Sequence, residues 1–386
     1  MAGPHPTVAA ARTRLRELLK EAGVSPGDRL LVACSGGSDS MALAQAALFV
    51  AARDGYIVDT LTVDHGLREE SAREAAAVAR TLREMGARRA ETVRVSLGVG
   101  AGPEAEARSA RYAALAAAAA GEYVTVSDDG AQPAGESGGA THGAATAAGR
   151  SDRAATVLLG HTADDQAETV LLGLARGSGA RSIRGMAPVG PLPEHGAVRA
   201  LRPLLDLRRE DLREGLRSAH ITWVDDPTNE PTSPWRAHDG TMLRRAAVRH
   251  RSLPVLEEDL GPGIVEALAR TAKLLQADEE ALEGWACREL ERLAMSCDTG
   301  VAISELRALP VAVRTRVLRT LALRAGARGG ELVGWHVDHL DELVTGPGGG
   351  RGIDLPGVRA MQREGRIVFD SVGLRHHRRK DSDGRS

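Results

Sequence analysis

The sequence predicts an α/β fold: a parallel sheet covered by helices on both faces, followed by a mainly helical second domain. Three observations predict it. Strand-like segments at 30–34, 57–63, 91–96 and 156–160 alternate with helical patterns at about 40–53, 71–86, 104–120 and 164–175. That rhythm belongs to parallel strands buried on both sides. The first of these runs, LLVA, breaks into a glycine-rich turn that opens a helical pattern. Beyond residue 226 the strand rhythm gives way to long amphipathic stretches.

Each element has its own local reason. Residues 11–22, RTRLRELLKEAG, form an amphipathic helix closed by Gly23. ITWVD at 221–225 could add a late strand. Residues 121–153 are rich in Gly, Ala, Ser and Thr without apolar periodicity, and are expected to be a disordered surface insertion. PTNEPTSPWRAHDG reads as a turn-rich connector. The following segment carries Arg244, Arg245, Arg249, His250 and Arg251 at helical spacing. Residues 264–294 make a long amphipathic helix, and 303–345 suggest further helices. GIDLPGVRAMQREGRIVF reads as a small hairpin turning at Arg363-Glu364-Gly365-Arg366. The expected division is 1–225 for the sheet domain, 226–262 for a basic linker, 263–375 for the helical domain and 376–386 for a charged tail.

At 386 residues the chain is long enough for two or three domains. Its net charge of -2 and pI near 6.7 give no global nucleic-acid signature, although a local basic stripe can serve on a neutral protein. Lys20, Lys273 and Lys380 are its lysines, so arginine is this chain's default cation. Cys34, Cys287 and Cys297 form no C-x-x-C pair, which argues against a zinc ribbon, a redox dithiol or a disulfide framework. With no apolar signal core and no run of about 20 apolar residues, a soluble cytoplasmic enzyme without membrane contact is expected.

The turn Ser35-Gly36-Gly37-Ser38-Asp39-Ser40 sits between a strand and a helix, where bared backbone N–H groups attract phosphate. It lacks the lysine that ends the common G-x-x-x-x-G-K-[ST] loop. In an open parallel sheet, ligands bind at the carboxyl ends of the strands. There the second strand delivers Asp64 and His65, and the 156–160 strand delivers His161 and the run Thr162 to Thr169. Singly, each has a plain structural explanation, such as a tight turn or a helix cap. Together they surround a phosphate-type loop with carboxylates. Asp39 would repel phosphate, so it makes sense as a ligand of Mg²⁺. Asp165 and Glu168, three apart on one helix face, are placed to share that metal or to hold a cationic substrate.

SGGSDS resembles the SGGxDS loop of the N-type ATP pyrophosphatases, also called the PP-loop superfamily. These proteins have a Rossmann-like sheet and cut ATP between the α and β phosphates. VDHGLR at 63–68, Glu104 with Ala107-Arg108 and Arg111-Tyr112, and GHTADDQAETVLLGLARGSG at 160–179 together resemble the tRNA(Ile)-lysidine synthases. Gly185-Met186, Arg202-Pro203-Leu204-Leu205, DPTN at 226–229, the segment ending Arg249-His250 and LPGV at 355–358 continue the resemblance.

The resemblance implies that ATP adenylates the carbonyl oxygen at carbon 2 of the wobble cytidine in a CAU-anticodon isoleucine tRNA. The ε-amine of free L-lysine then displaces AMP. It assigns ATP to Ser35, Gly36, Gly37, Ser38, Asp39, Ser40, Asp64, His65 and Arg108. It assigns Mg²⁺ to Asp39 and Asp165, and catalysis to Asp39, His161, Asp165 and Glu168. Arg249 would join Arg108 at the α phosphate.

The basic segment reads either as a solvated face or as contact to the tRNA backbone. Four arginines (Arg244, Arg245, Arg249 and Arg251) within eight residues favour the tRNA. Arg359, Arg363 and Arg366 of the hairpin carry a weaker version of that expectation. A related tRNA thiolase and a small-molecule amidating ligase stand as alternatives, and the sequence leaves a homodimer open.

Overall fold

The computed structural model describes residues 3–66, 70–95, 103–122, 154–177, 179–225, 236, 240–294, 300–347 and 352–371. From residue 123 on, the expected insertion lies outside these residues, as do DPTN at 226–229 and the charged tail. The chain divides into two compact units, one of residues 1–177 with 182–273 and one of residues 178–181 with 274–386.

The first unit opens with α1 (Pro6–Glu21), β1 (Arg29–Ala33), α2 (Ser38–Asp54), β2 (Ile57–Asp64), α3 (Ser71–Glu84), β3 (Arg89–Arg94) and α4 (Pro103–Ala120). It continues with β4 (Thr156–Leu158), α5 (Ala163–Arg176), the single turn α6 (Ala180–Ile183), whose first two residues are assigned to the second unit, β5 (Val189–Leu192), β6 (His195–Leu201) and α7 (Arg209–Ser218). Among the described residues the sheet order is β3-β2-β1-β4-β6-β5. All neighbours are parallel except the edge pair β5–β6. From β1 the chain builds outward through β2 and β3, then returns to β1's other side as β4. Ligand crevices form at such a reversal.

Alternation along β1 feeds two cores. Leu30 and Val32 join α1, α2, α3 and α7 on one face, and Leu31 joins Tyr112 and Leu115 of α4 on the other. Helix α2 buries Ala42, Ala44, Ala46, Ala47 and Ala51, small side chains that let its backbone lie close to its neighbours.

Two expectations need correction. ITWVD at 221–225 is not a strand; it is a segment without regular secondary structure, held by the Val224 N–H donating to the Gly36 carbonyl at 2.9 Å. The late strand is instead β6, reached through the β5–β6 hairpin. Gly190, Pro191, Pro193 and Gly196 disguise that hairpin as a loop, and Pro191 is tolerated because β5 lies at the sheet edge.

The basic segment is also more than a plain helix. It runs unbroken through α8 (Arg244–Ala247), a π-helical turn (Val248–Ser252) and α9 (Leu253–Leu260) before α10 (Ile264–Ala294). Pro254 has no N–H to donate and crowds the carbonyl four residues back. The ladder relaxes accordingly, with the Leu253 N–H bonding the Val248 carbonyl five residues earlier.

The second unit contains β7 (Val301–Ala302), α11 (Ile303–Ala308), α12 (Val311–Arg324), α13 (Gly334–Thr345), β8 (Gly352–Leu355), β9 (Val358–Arg363) and β10 (Arg366–Ser371). The expected hairpin is present, enlarged to an antiparallel sheet in the order β7-β10-β9-β8. Glu364 and Gly365, with φ of 48° and 73°, make its tight turn. Arg314 clamps Asp341 with bonds of 2.6 and 3.1 Å, tying α12 to α13. Arg359 and Arg363 pair with Asp354 and Asp370, each at 3.5 Å, and Arg366 donates to the Gly300 carbonyl. No helix among the described residues is long and apolar enough to cross a membrane.

Asp59 of β2 is fully buried and bonds Arg88 at 2.5 and 2.8 Å, with Arg29 at 3.3 Å. Asp59→Ala leaves Arg29 without this buried counter-charge, whereas Arg88 can swing into water. The expected loss is about 3 kcal/mol of stability, read from the urea midpoint.

Candidate active site

The loop after β1 is shaped by its glycines. Gly36 has φ of +86°, and an added Cβ would lie 2.5 Å from Val78 Cγ2. Gly37 is the extended N-cap of α2. The Ser40 hydroxyl donates to the Gly37 carbonyl at 2.9 Å and lies 3.4 Å from Ser35 Oγ. This arrangement leaves the first-turn amides of α2 open toward the crevice, a ready anion cradle. Cys34 is buried beside Ser40 and Met41, and desolvation raises its thiol.

Helix α5 delivers the carboxylates. Thr162 caps it: the Thr162 N–H and hydroxyl both donate to Asp165 Oδ2 at 2.9 Å, closing a capping box. One oxygen of Asp165 is thereby fixed and the other, Oδ1, is presented to the site. Glu168 follows three residues later on the same face, with no exposed surface. Gly160 permits the close approach to the loop, since a Cβ there would sit 3.1 Å from the Asp39 carbonyl oxygen. Gln166 then pairs as an amide with Met186, donating to its carbonyl at 2.8 Å and accepting from its N–H at 2.7 Å. At Gly173 a Cβ would meet the Ser182 carbonyl at 2.3 Å, so only glycine fits.

Three arginines meet these carboxylates. Arg209, the first residue of α7, was not foreseen. Its Nε donates to Asp39 Oδ2 at 2.8 Å, Nη2 lies 3.3 Å from Asp165 Oδ1, and Nη1 lies 3.9 Å from Glu168 Oε1. Its own N–H donates to Asp164 Oδ2 at 2.8 Å. A cation in a helix's first turn opposes the helix dipole, and this anomaly is the signal that could have revealed Arg209 in the sequence.

Arg245 and Arg249, expected to face RNA, point inward. Arg245 donates to Glu168 Oε2 at 2.7 Å and Asp165 Oδ1 at 3.1 Å. Arg249 donates to Glu168 Oε1 at 2.6 Å and Oε2 at 3.1 Å. Arg244 and Arg251 are exposed and outside this cluster.

Burial would raise the Asp165 carboxyl, but Arg209 and Arg245 outweigh it and hold the group well below its ordinary value. At Asp39 burial wins: even with Arg209 adjacent, desolvation raises the carboxyl, and the nearby charge of Asp165 adds to the rise. A charge concentrated in a crevice in this way is typical of functional sites.

The remaining candidates line the same carboxyl edge. His161 is half-buried, and its Nδ1 is buried without a hydrogen-bond partner among the described residues. Desolvation, with Arg202, Arg245 and Arg111 nearby, lowers it to about 3 against the pull of Asp165. Arg108 and Arg111 lie 5.0 and 5.2 Å from the Tyr112 ring centroid. Asp64 accepts from the Gly66 N–H at 2.8 Å, closing the turn that carries His65. Among the described residues no group of three or more His, Cys, Asp or Glu is poised to hold a metal.

An N-terminal amide cradle without a Walker lysine, at the switch point of a parallel sheet and faced by carboxylates, defines a PP-loop ATP-binding protein. A family model described as PP-loop domain matches residues 8–127 and 144–256, and one described as TilS substrate binding domain matches 302–368. A tRNA(Ile)-lysidine synthase of Thermobifida fusca (strain YX) is 44% identical over 372 residues, covering 96% of this chain and 100% of that one. Another, of Streptomyces coelicolor, is 43% identical over 95% of this chain and 99% of its own. Among solved structures, the U34-tRNA thiolase NcsA from Methanococcus maripaludis aligns over 70% of this chain and 80% of that chain, with a TM-score of 0.49 and 15% identity. The chain belongs to the tRNA(Ile)-lysidine synthase family, as the resemblance of SGGSDS, VDHGLR and GHTADDQAET had indicated.

Two outcomes follow from this geometry. Gly36→Ala forces a Cβ into Val78 at a left-handed φ, and ATP binding measured by calorimetry should fall at least tenfold. The lowered pKa of His161 means that stability from its neutral form is complete above pH 6.5 and is lost as pH falls through about 3. Its imidazole resonances should therefore show no titration between pH 5 and 8 by NMR.

Proposed function

We propose that this chain is an ATP-dependent ligase that forms lysidine at the wobble cytidine of a CAU-anticodon isoleucine tRNA, using L-lysine as the amine donor. One observation carries the reading of the site: Asp39 of the phosphate loop and Asp165 and Glu168 of α5 share a single guanidinium, that of Arg209. A nucleotide held by the loop and an amine held by α5 would therefore lie side by side.

In the first step the cytidine carbonyl oxygen at carbon 2 attacks the α phosphorus, and pyrophosphate leaves from the amide cradle of Gly37 to Ser40. In the second step the lysine ε-nitrogen attacks carbon 2 and AMP leaves. The amine must shed a proton to attack, and Asp165 with Glu168 is placed to orient the ammonium and accept that proton. His161, neutral and with a free Nδ1, is suited to contact the reacting base. Arg108 is assigned to the α phosphate, and Asp64 and His65 to the nucleotide. Arg244 and Arg251, exposed on the linker, are assigned to tRNA phosphates, with Arg245 and Arg249 joining them once freed from the carboxylates.

The donor set also fits Mg²⁺, which takes one or two carboxylates and completes its shell with water and phosphate oxygens. Asp39 and Asp165 would hold it, and it would neutralise charge on the phosphates. Cys34, buried and with its thiol raised, is unsuited to the nucleophilic role that a thiolase needs. We place the reaction in the cytoplasm. A homodimer is compatible with the reading, and every member of the cluster comes from one chain.

Purified protein with ATP, Mg²⁺, radiolabelled lysine and the CAU-anticodon isoleucine tRNA should yield labelled tRNA. No label with that tRNA, alongside pyrophosphate release with another acceptor, would sink the reading. Asp165→Asn keeps a helix-capping side chain but removes the carboxylate, and should lower incorporation about 10²-fold or more with an unchanged circular dichroism spectrum.

A further inference from the structure

The carboxylate pair on α5 is almost fully occupied. Asp165 Oδ2 is taken by the Thr162 N–H and hydroxyl. Asp165 Oδ1 faces Arg245 at 3.1 Å, Arg209 at 3.3 Å and Arg249 at 3.5 Å. Glu168 Oε1 accepts from Arg249 at 2.6 Å, while Oε2 accepts from Arg245 at 2.7 Å and Arg249 at 3.1 Å. A carboxylate oxygen has about two lone-pair sites. Glu168 Oε1 alone keeps a second site, with Arg209 Nη1 3.9 Å away, so a substrate ammonium can bridge both carboxylates only by displacing a guanidinium.

The three arginines differ in how firmly they are held. Arg209 begins a regular helix, is fixed by its own N–H on Asp164, and spans Asp39, Asp165 and Glu168. Arg245 and Arg249 have more exposed side chains, 28% and 26% against 17% for Arg209. They also ride on the helix that contains the π turn. Such turns interrupt the regular ladder and concentrate at functional sites.

We propose that Arg245 and Arg249 are place-holders in the amine seat: specificity-determining residues that neutralise Asp165 and Glu168 at rest and are exchanged for the substrate ammonium. Nucleic-acid phosphates compete for the same two guanidinium groups. RNA binding therefore draws them off the carboxylates, and amine affinity and RNA affinity rise together, as linkage requires. The arriving ammonium replaces one of the two positive charges that leave, and Arg209 stays, so the carboxylates are not left without a cation. This inference rests on the reading that Asp165 and Glu168 hold lysine.

Equilibrium dialysis of radiolabelled lysine against the full-length protein, without RNA, tests it. Arg245→Gln/Arg249→Gln should bind lysine at least tenfold more tightly than the unaltered protein, and adding Glu168→Gln should abolish that binding. Arg244→Gln/Arg251→Gln removes the same charge without touching either carboxylate, so its lysine affinity should change less than threefold; an equal gain in this control overturns the proposal. If Arg245→Gln/Arg249→Gln brings no gain while Glu168→Gln still abolishes binding, the place-holders are wrong and the seat stands. Lysine binding indifferent to Glu168→Gln removes the seat itself. Should the double variant fail to fold, hydrogen exchange on the unaltered protein decides: saturating lysine should speed exchange of the 244–252 amides, and unchanged protection overturns the proposal.

Discussion

Three carboxylates, Asp39, Asp165 and Glu168, meet the guanidinium groups of Arg209, Arg245 and Arg249 in one small volume. Withdrawing a single ion from water costs several kcal/mol even after relaxation, so each of these groups is tolerable there only beside opposite charge. The surrounding elements converge on that balance. The phosphate loop contributes one anion, α5 two, α7 one cation and the linker helix two. Because the members come from segments far apart in sequence, the cluster can form only when the sheet, its switch point and the linker are all in place.

Neutrality explains why so much local structure serves orientation rather than strength. The Thr162 box spends one oxygen of Asp165 on the cap, so that only Oδ1 faces the crevice. Gly160 and Gly36 are small because backbone must pass close to backbone or to Val78. The Gln166–Met186 amide pair braces the opposite side of α5 without adding charge. Arg208 extends the same logic outward, reaching Asp164 at 3.4 Å, Glu257 at 3.4 Å and Glu266 at 2.8 Å, so that α5, α9 and α10 are tied by one more guanidinium.

Much of this is legible in the sequence. The β1–loop–α2 unit, the positions of the parallel strands and the α10 helix follow from period and punctuation, which are local properties. SGGSDS and the Asp165–Glu168 spacing were readable because a phosphate loop and an i, i+3 helix face each fit inside a short window. The β5–β6 hairpin was not, since Pro191 and Pro193 carry turn signals and only the sheet edge makes them harmless. Nor was Arg209: in a chain whose default cation is arginine, a cation in a helix's first turn is a faint signal until the fold sets it against carboxylates. The inward turn of Arg245 and Arg249 was hidden for the same reason, as a basic helix face looks alike whether it meets solvent, RNA or buried acids.

The π turn at Val248–Ser252 resets the phase of the linker helix. A regular α-helix advances 100° per residue, so one residue beyond the normal count in a turn rotates everything downstream by roughly that angle. Upstream of the reset, Arg245 faces the acids; downstream, Leu253 is buried with Ala163, Ala167 and Val265. Arg245, Arg249 and Leu253 lie four residues apart and would drift by about 40° per step in a strict 3.6-residue period; the wider turn takes back part of that drift. Residue number in this segment, more than residue identity, is what its geometry constrains. A homologue that loses or gains a single position there would have to rebuild the pairing on one side of the turn.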